Sequence, residues 1–299
     1  MAYLFLTLTI LFWAGNLVTA SAIHMEVEPV MLAFQRWVLV LVLILPWALP
    51  RIWRQRQVIL AHLPILIVLS ILSVANFNTF LFIGLQDTTA SNAALMQSAI
   101  PIVILVLSAL LLREPTTPRQ WVGVFISIAG VAVLITRANL DMLLNLSFNR
   151  GDIWVGAAVL TWSLYSIALR WRPTQLDGFT LFAVNVLIGV LLLSPVAMTS
   201  GGSAITVDWS PSVVAVVAYM AVFPSILAYL FWNRGVAELG AAKAGLFIHL
   251  MPLFGVVLSV LFLGDTLHLY HAVGMGLIFT GIYLATLSQT IGKLQPKRT

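Results

Sequence analysis

Long apolar runs alternate with short polar breaks along the whole chain of 299 residues. Each run is continuously apolar over about 20 residues, the length at which an α-helix crosses the roughly 30 Å hydrocarbon core of a bilayer. A transmembrane barrel would instead alternate polar and apolar residues. The pattern predicts ten helical spans with these approximate limits: 3–23, 30–50, 62–84, 88–111, 118–136, 151–171, 178–198, 211–232, 239–262 and 268–290.

One stretch of the chain, residues 80–134, recurs 151 positions later without a gap. The first two spans also recur, at an offset of 149, which aligns Trp13 with Trp162 and Pro46 with Pro195. Because the repeated unit has an odd number of spans, we expect the second copy to enter the membrane upside down, as in many secondary transporters. The matched pairs of the longer stretch are Phe80 with Phe231, Gly84 with Gly235, Ala90 with Ala241, Pro101 with Pro252, Ser108 with Ser259, Glu114 with Asp265, Gly123 with Gly274 and Gly130 with Gly281.

The predicted fold is an all-α polytopic membrane protein whose ten transmembrane helices form two inverted-topology five-helix repeats around a central cavity. The first repeat is expected at residues 1–136 and the second at 151–290. Residues 137–150 then form an external connection, and residues 291–299 form a basic tail in the cytoplasm.

Composition supports this class, since 61% of the residues are hydrophobic and only 8% are charged, against about 25% charged in soluble domains. The chain has no cysteine, which excludes disulfides and thiolate chemistry. Its net charge of +5 comes from residues dispersed among loops, so nucleic acid is not an expected partner. Neither a P-loop nor the zinc, serine-hydrolase or dinucleotide motifs occur, so we do not expect an enzyme.

The distribution of Lys and Arg places both termini in the cytoplasm, because cytoplasmic loops are enriched in these residues. With that orientation the outside loops hold only Arg137 and Arg150, whereas acids are frequent there. The inside loops and tail hold Arg51, Arg54, Arg56, Arg113, Arg119, Arg170, Arg172, Arg234, Lys293, Lys297 and Arg298. The outside acids are Glu26, Glu28, Asp87, Asp141, Asp208 and Asp265.

The two copies of the duplicated stretch resemble the signature halves of the EamA-type family of the drug/metabolite transporter superfamily. The shared pattern is a mid-helix proline, an aliphatic run that ends in an acid, and a following helix with spaced glycines. The segment AFQRWVLVLVLILP resembles the second helix of the family, which carries an arginine, here Arg36. The matching positions are Pro101, Glu114, Gly123 and Gly130, then Pro252, Asp265, Gly274 and Gly281, where Asp265 replaces the usual glutamate.

Within this superfamily the chain is most similar to bacterial amino-acid exporters of the YddG type. That resemblance implies export of amino acids, aromatic ones included, across the bacterial inner membrane by alternating access, without a cofactor or metal. The expected partners are the small-molecule substrate and membrane lipid. The alternative function is a carrier of sugar phosphates, nucleotide sugars or other metabolites. A phosphate group would need several buried cations to neutralise it. Only two basic residues, Arg36 and Lys243, lie well inside the predicted spans.

Polar and aromatic side chains inside the spans are the candidates for the cavity wall, because amides and hydroxyls in hydrocarbon need partners. Ordinary helix packing with interhelical hydrogen bonds is the competing interpretation. Lys243 and Arg36 are candidates to bind a substrate carboxylate. Both side chains are also long enough to snorkel, that is, to extend their charged ends to the membrane surface instead. The cavity candidates are Trp13, Asn16, Asn76, Asn78, Gln97, Ser98, Trp162, Tyr165, Ser166, Tyr229, Lys243 and His249.

Three further features bear on mechanism. Pro101 and Pro252 each remove a backbone hydrogen bond, so they are predicted to be hinges, with static kinks as the alternative. Every acid falls in a predicted loop or at a helix end, which predicts transport down the substrate gradient without proton coupling. His249 is the alternative titrating group.

The small residues Gly123, Ser127 and Gly130 predict close internal helix packing and a monomer, with a dimer interface as the alternative.

Overall fold

The computed structural model describes residues 1–23, 28–139, 141, 149–199, 210–263, 266 and 268–292, and in these ranges the regular secondary structure is helical. We number the long helical segments α1 to α10, and a short helix, Arg56–Ala61, follows α2. The segments are α1 (Ala2–Ile23), α2 (Pro29–Arg54), α3 (Leu63–Ser70, Ile71–Phe77 and Asn78–Asp87), α4 (Ala90–Gln97 and Ile100–Leu112), α5 (Pro118–Thr136), α6 (Arg150–Ala168 and Leu169–Trp171), α7 (Gly178–Thr199), α8 (Pro211–Met220, Ala221–Leu227 and Ala228–Leu239), α9 (Ala241–Leu246, Phe247–Leu250 and Met251–Leu263) and α10 (Leu269–Gly292).

Nine stretches of the described chain, one in each of α2 to α10, are long and apolar enough to cross a bilayer. In α1 the apolar stretch Ala2–Asn16 is shorter than such a span. Large apolar side chains point outward, with Trp47, Leu110 and Leu261 each more than half exposed, as lipid-facing residues are. The chain is therefore a multi-pass membrane protein. The expectation of ten crossings stays a prediction.

Four of the segments depart from regular α-helix, and they do so at corresponding places in the two halves of the chain. Both α3 and α8 contain a π-helical turn of seven residues, Ile71–Phe77 and Ala221–Leu227. A π turn inserts an extra residue in the hydrogen-bond ladder and commonly marks a functional site. In α4 the helix breaks at Ser98 and Ala99, and α9 narrows to a 3-10 turn at Phe247–Leu250.

These breaks move the two duplicated prolines from the middle of a regular helix to its beginning. Pro101 is the second residue of Ile100–Leu112, and Pro252 is the second residue of Met251–Leu263. Proline is well tolerated in a first helical turn, where its missing N–H would have no partner in any case. Each proline lies near the middle of its whole segment, but a break in α4 and a 3-10 turn in α9 precede it, so that each proline begins the second helical piece.

Close approach of helix backbones explains several of the duplicated glycines. A Cβ built on Gly123 would lie 2.6 Å from the carbonyl oxygen of Gly281, and one on Gly130 would lie 2.7 Å from that of Gly274. No side chain fits at such distances, so α5 and α10 pack backbone to backbone along this stripe. This contact accounts for the glycines by internal packing, with no need of a second copy of the chain.

The helix limits follow the predicted ones except at the C-terminal ends of two segments. The segment α8 continues to Leu239, beyond the expected end at 232, and α2 continues to Arg54. Arg234 therefore lies on α8, where it forms an exposed ion pair with Glu238 one turn later. Glu26, Asp208, Asp265, most of the connection 137–150 and the tail from 293 onward lie outside the described residues, as do Lys293, Lys297 and Arg298.

Candidate functional site

Aromatic side chains from α1, α3, α6 and α8 meet at the centre of the helix bundle. Trp13 and Trp162, which occupy equivalent positions in the two halves, contact each other edge to face, with ring centroids 4.8 Å apart. Trp232 and Tyr229 of α8 and Phe77 of α3 pack around them. We call Trp13, Phe77, Trp162, Tyr229 and Trp232 the aromatic cluster. Its rings supply flat apolar surface with few polar atoms.

A small cavity lies against this cluster. Its free space of about 20 Å³ is enough for a water molecule but not for a metabolite. A solute of metabolite size would therefore enter this cavity only if the helices around it moved apart. The cavity is lined by Trp13, Asn16, Phe77, Asn78, Leu81, Gln97, Tyr229 and Met251.

Behind the cavity wall, Arg36 of α2 makes hydrogen bonds to side chains of three other helices. Its Nε donates to Ser225 Oγ of α8 at 2.6 Å. One terminal nitrogen donates to Asn16 Oδ1 of α1 at 3.1 Å and to Asn78 Oδ1 of α3 at 3.0 Å. We call Arg36, Asn16, Asn78 and Ser225 the polar cluster. It connects both halves of the chain, and two of its members also line the cavity.

Tyr229 joins the aromatic cluster to the polar cluster. Its hydroxyl accepts a hydrogen bond from Asn78 Nδ2 at 3.2 Å and donates to the backbone carbonyl of Ser73 at 3.0 Å. Trp13 Nε1 donates to the carbonyl of Pro224 at 3.1 Å. Both carbonyls belong to the π-helical turns, where the widened ladder makes backbone oxygens available to side chains. The two turns thus fix the central aromatic rings.

Several buried polar atoms of the site have no protein partner. They include Gln97 Nε2, which lines the cavity, and the ring nitrogens of Trp162 and Trp232. A buried donor without an acceptor costs about 1–3 kcal/mol. A bound solute that brings acceptor atoms would recover this energy. Of these donors only that of Gln97 belongs to a residue of the cavity lining, so it is the one best placed to meet a ligand.

His249 of α9 is fully buried, and both of its ring nitrogens have partners. Nε2 lies 2.9 Å from the backbone carbonyl of Ser98, and Nδ1 lies 2.6 Å from Ser127 Oγ. A carbonyl only accepts, so Nε2 carries the proton, and Nδ1 accepts from the serine in the neutral ring. This arrangement braces the break in α4 against α5 and α9, and it places His249 behind the cavity wall.

The structure brings five of the twelve predicted cavity residues to one wall: Trp13, Asn16, Asn78, Gln97 and Tyr229. Trp162 and Tyr165 lie one layer behind and contact the ring of Tyr229. The others do not line this cavity. Asn76 and Lys243 are half-buried, whereas Ser98, Ser166 and His249 are buried away from it. Among these, Ser166 donates back to the carbonyl of Trp162 in its own helix.

Sequence reasoning missed several residues of the site. Phe77, Leu81 and Met251 line the cavity but carry no polar atom that marks them out among many apolar residues. Ser225 receives the Arg36 bond, and its signal is the adjacent Pro224, a proline inside α8. In the described residues no group of three or more His, Asp or Glu side chains is placed to hold a metal ion.

Comparison with known proteins identifies the class of this site. The chain matches the EamA-like transporter family twice, over residues 1–136 and 149–287. It is similar to an uncharacterized transporter of Archaeoglobus fulgidus, with 27% identity over 96% of this chain and 98% of that protein. It is also similar to the uncharacterized transporter YyaM of Bacillus subtilis, with 28% identity over 74% of this chain and 72% of that protein.

One solved crystal structure has the same fold, with a TM-score of 0.76 over 98% of both chains and 21% sequence identity. The two family matches together cover nearly the whole chain. The chain belongs to the EamA-like transporter family.

Proposed function

We propose that this transporter exports amino acids, aromatic ones among them, across the bacterial inner membrane by alternating access. The central cavity between the aromatic and polar clusters is the observation on which this proposal depends. It combines flat apolar walls with amide and phenol groups, a combination suited to a small solute that has an apolar body and a polar end.

We further propose that the two halves are inverted repeats related by a two-fold axis in the membrane plane. In such a pair, if residue i contacts residue j, the equivalent residues contact in the reverse order. Gly123 approaches Gly281 and Gly130 approaches Gly274, the exchange that an offset of 151 requires. Likewise, Gly84 approaches Val155 of α6, and Gly235 approaches Leu6 of α1.

Two hydrogen bonds join equivalent positions directly, as residues near a two-fold axis do. Asn78 bonds to Tyr229, and Ser98 bonds to His249, each pair separated by 151 residues. These bonds and the Trp13–Trp162 contact lie at the centre of the bundle. Relative motion of the two halves would break them and open the cavity toward one side of the membrane.

The proposed transport is not coupled to protons. In the described spans, no acid lines the cavity, and the candidate His249 has both ring nitrogens engaged. A single buried guanidinium in the described site also disfavours phosphorylated sugars, which need several cations.

Uptake into proteoliposomes tests this proposal. We expect purified full-length protein to accelerate the entry of labelled phenylalanine and tryptophan, with saturation and counterflow, and equally with or without a pH gradient. Accumulation driven by an imposed pH gradient would contradict the uncoupled mechanism. Uptake of sugar phosphates without uptake of amino acids would contradict the substrate assignment.

Pro101 and Pro252 are proposed to be hinges, because each follows a break in its span. A Pro101→Ala variant restores one N–H and favours a continuous α4 across Ser98 and Ala99. We expect turnover to fall roughly tenfold, while the thermal unfolding midpoint stays within a few degrees of wild type, since Ala is a good helix former. Pro50→Ala in α2, where proline lies near a helix end, is the matched control. Equal turnover of Pro101→Ala and wild type would reject the hinge role.

A further inference from the structure

We infer that Arg36 is the group that recognises the carboxylate of the transported solute, and that the site has no corresponding group for an ammonium. This inference rests on the proposed transport function and adds the charge of the substrate to it. The site would then select monoanionic acids with an apolar body, whether or not they carry an amino group.

The first observation is that Arg36 is buried among neutral partners. Its side chain is 1% exposed, and its hydrogen bonds go to the oxygens of Ser225, Asn16 and Asn78. No carboxylate of the described residues bonds to it; the ion pairs formed there, Arg170 with Glu114 and Arg234 with Glu238, are exposed. Since arginine stays protonated, a net positive charge is held inside the bundle.

A buried charge without a counter-ion is costly, and neutral amide oxygens compensate for it only in part. A carboxylate accepts shorter and stronger hydrogen bonds from guanidinium, often two in parallel. The partners that a solute would replace, Asn16 and Asn78, line the cavity. Rotation of these two amides would expose the guanidinium to the cavity without moving α2.

The second observation is the unpaired donor on the same cavity wall. Gln97 Nε2 is buried and lacks an acceptor. A carboxylate has two oxygens, so one can accept from Arg36 while the other accepts from a neighbouring amide. The unpaired Gln97 donor is thus consistent with an anionic ligand, since an ammonium would need acceptors in its place.

The third observation is that this charge is not duplicated. The position 149 residues after Arg36 is Asn185, which is buried on α7 with its Nδ2 unpaired. The aromatic cluster, in contrast, has a tryptophan from each half. The site is therefore polar at one side and apolar in the middle, which fixes the orientation of a bound solute: carboxylate toward Arg36, body toward Trp13 and Trp162.

An ammonium finds no counter-charge in this arrangement. The cavity lining contains amides, one phenol, apolar side chains and the Met251 thioether, but no carboxylate. An ammonium would meet only neutral amide oxygens and aromatic faces there, whereas a carboxylate would pair with a full charge. Removing the amino group from a substrate should therefore cost less than removing its carboxylate, which should abolish binding.

Three compounds that share one ring separate these contributions: L-phenylalanine, 3-phenylpropionate and 2-phenylethylamine. Binding to the purified full chain is measured by ligand-induced thermal stabilisation, and transport by competition in proteoliposomes. We expect phenylpropionate to bind within a few-fold of phenylalanine and the amine to have no effect. An amine that binds as well as phenylalanine would overturn carboxylate recognition and leave amino-acid transport intact. Binding of phenylpropionate without transport of phenylalanine would support carboxylate recognition but contradict amino-acid transport. Binding of none of the three compounds would reject both carboxylate recognition and amino-acid transport.

Variants assign the effect to Arg36. Arg36→Lys keeps the charge but loses the planar fork that binds a carboxylate through two parallel hydrogen bonds, and we expect binding of both acids to weaken roughly tenfold or more. Asn78→Asp is isosteric and gives Arg36 a permanent carboxylate partner. This variant loses the Nδ2 donor to Tyr229, and we expect it to lose binding of both acids. Unchanged binding by Asn78→Asp would refute the inference even if the Arg36 variant fails to fold.

The matched control is Arg170→Gln, which removes an exposed arginine paired with Glu114 outside the cavity. We expect its affinity for all three compounds to equal that of wild type. A loss of binding in this control equal to that in Arg36→Lys would show that the effect comes from overall charge and would reject a role specific to Arg36.

Discussion

A cysteine introduced by Thr266→Cys is expected to react with a membrane-impermeant maleimide added to intact cells, and one introduced by Pro115→Cys is expected not to react. Both positions are exposed, Pro115 between α4 and α5 and Thr266 between α9 and α10. They occupy equivalent turns of the two halves, offset by 151. If the halves are inverted repeats, these turns lie on opposite sides of the membrane. The expected effect is all or none.

The native chain contains no cysteine, so any label reports the introduced residue alone. Reaction of both variants after cell lysis is the control for reactivity of the thiol. Labelling of both positions from the outside, or protection of both, would refute the inverted arrangement and the cytoplasmic location of the termini with it.

Replacing Trp162 by alanine is expected to cause the largest loss of stability. The side chain is 0% exposed and contacts the rings of Trp13, Phe77 and Tyr229. Its ring nitrogen has no partner, so truncation removes packing without breaking a hydrogen bond. Loss of a buried large aromatic side chain costs about 3–5 kcal/mol. Thermal unfolding in detergent measures this loss.

Trp53→Ala is the matched control, since that side chain is 68% exposed beyond the apolar part of α2. We expect its unfolding midpoint to stay close to that of wild type. Trp162→Phe, which keeps an aromatic ring at the centre, should recover part of the stability. If Trp162→Ala unfolds no earlier than Trp53→Ala, the aromatic cluster does not hold the two halves together.

Much of the fold follows from the sequence because lipid imposes a simple rule. Each span needs about 20 apolar residues, so helix positions follow from hydropathy. The offset of 149 aligned Trp13 with Trp162, and the structure adds that these two side chains contact each other. Residues near the axis between two repeated units contact their own equivalents.

The sequence did not predict the local irregularities in the helices. The π-helical turn Ile71–Phe77 contains no proline or glycine, and in Ala221–Leu227 only Pro224 hints at an irregular helix; one inserted residue leaves no periodic signal. The break at Ser98 and Ala99 likewise was not predicted, because the sequence indicated one continuous span across these residues.

The sequence alone also did not show which of the two basic residues inside the predicted spans lies near the cavity. Arg36 and Lys243 both lie inside predicted spans, and either can snorkel. Rotation about the helix axis decides which of them is buried, and hydropathy does not report that angle within uniformly apolar spans. In the structure Arg36 is buried in the polar cluster, whereas Lys243 is half-buried away from the cavity.

The unequal pair Arg36 and Asn185 has a consequence for the evolution of this protein. An ancestor assembled from two separate copies of one five-helix unit would have placed the same residue at both positions. Two guanidinium groups beside one dry cavity repel each other, and two asparagines provide no charge. If Arg36 recognises an acid, its single charge requires two halves that differ at this position, so selectivity for an acid would postdate the divergence of the halves.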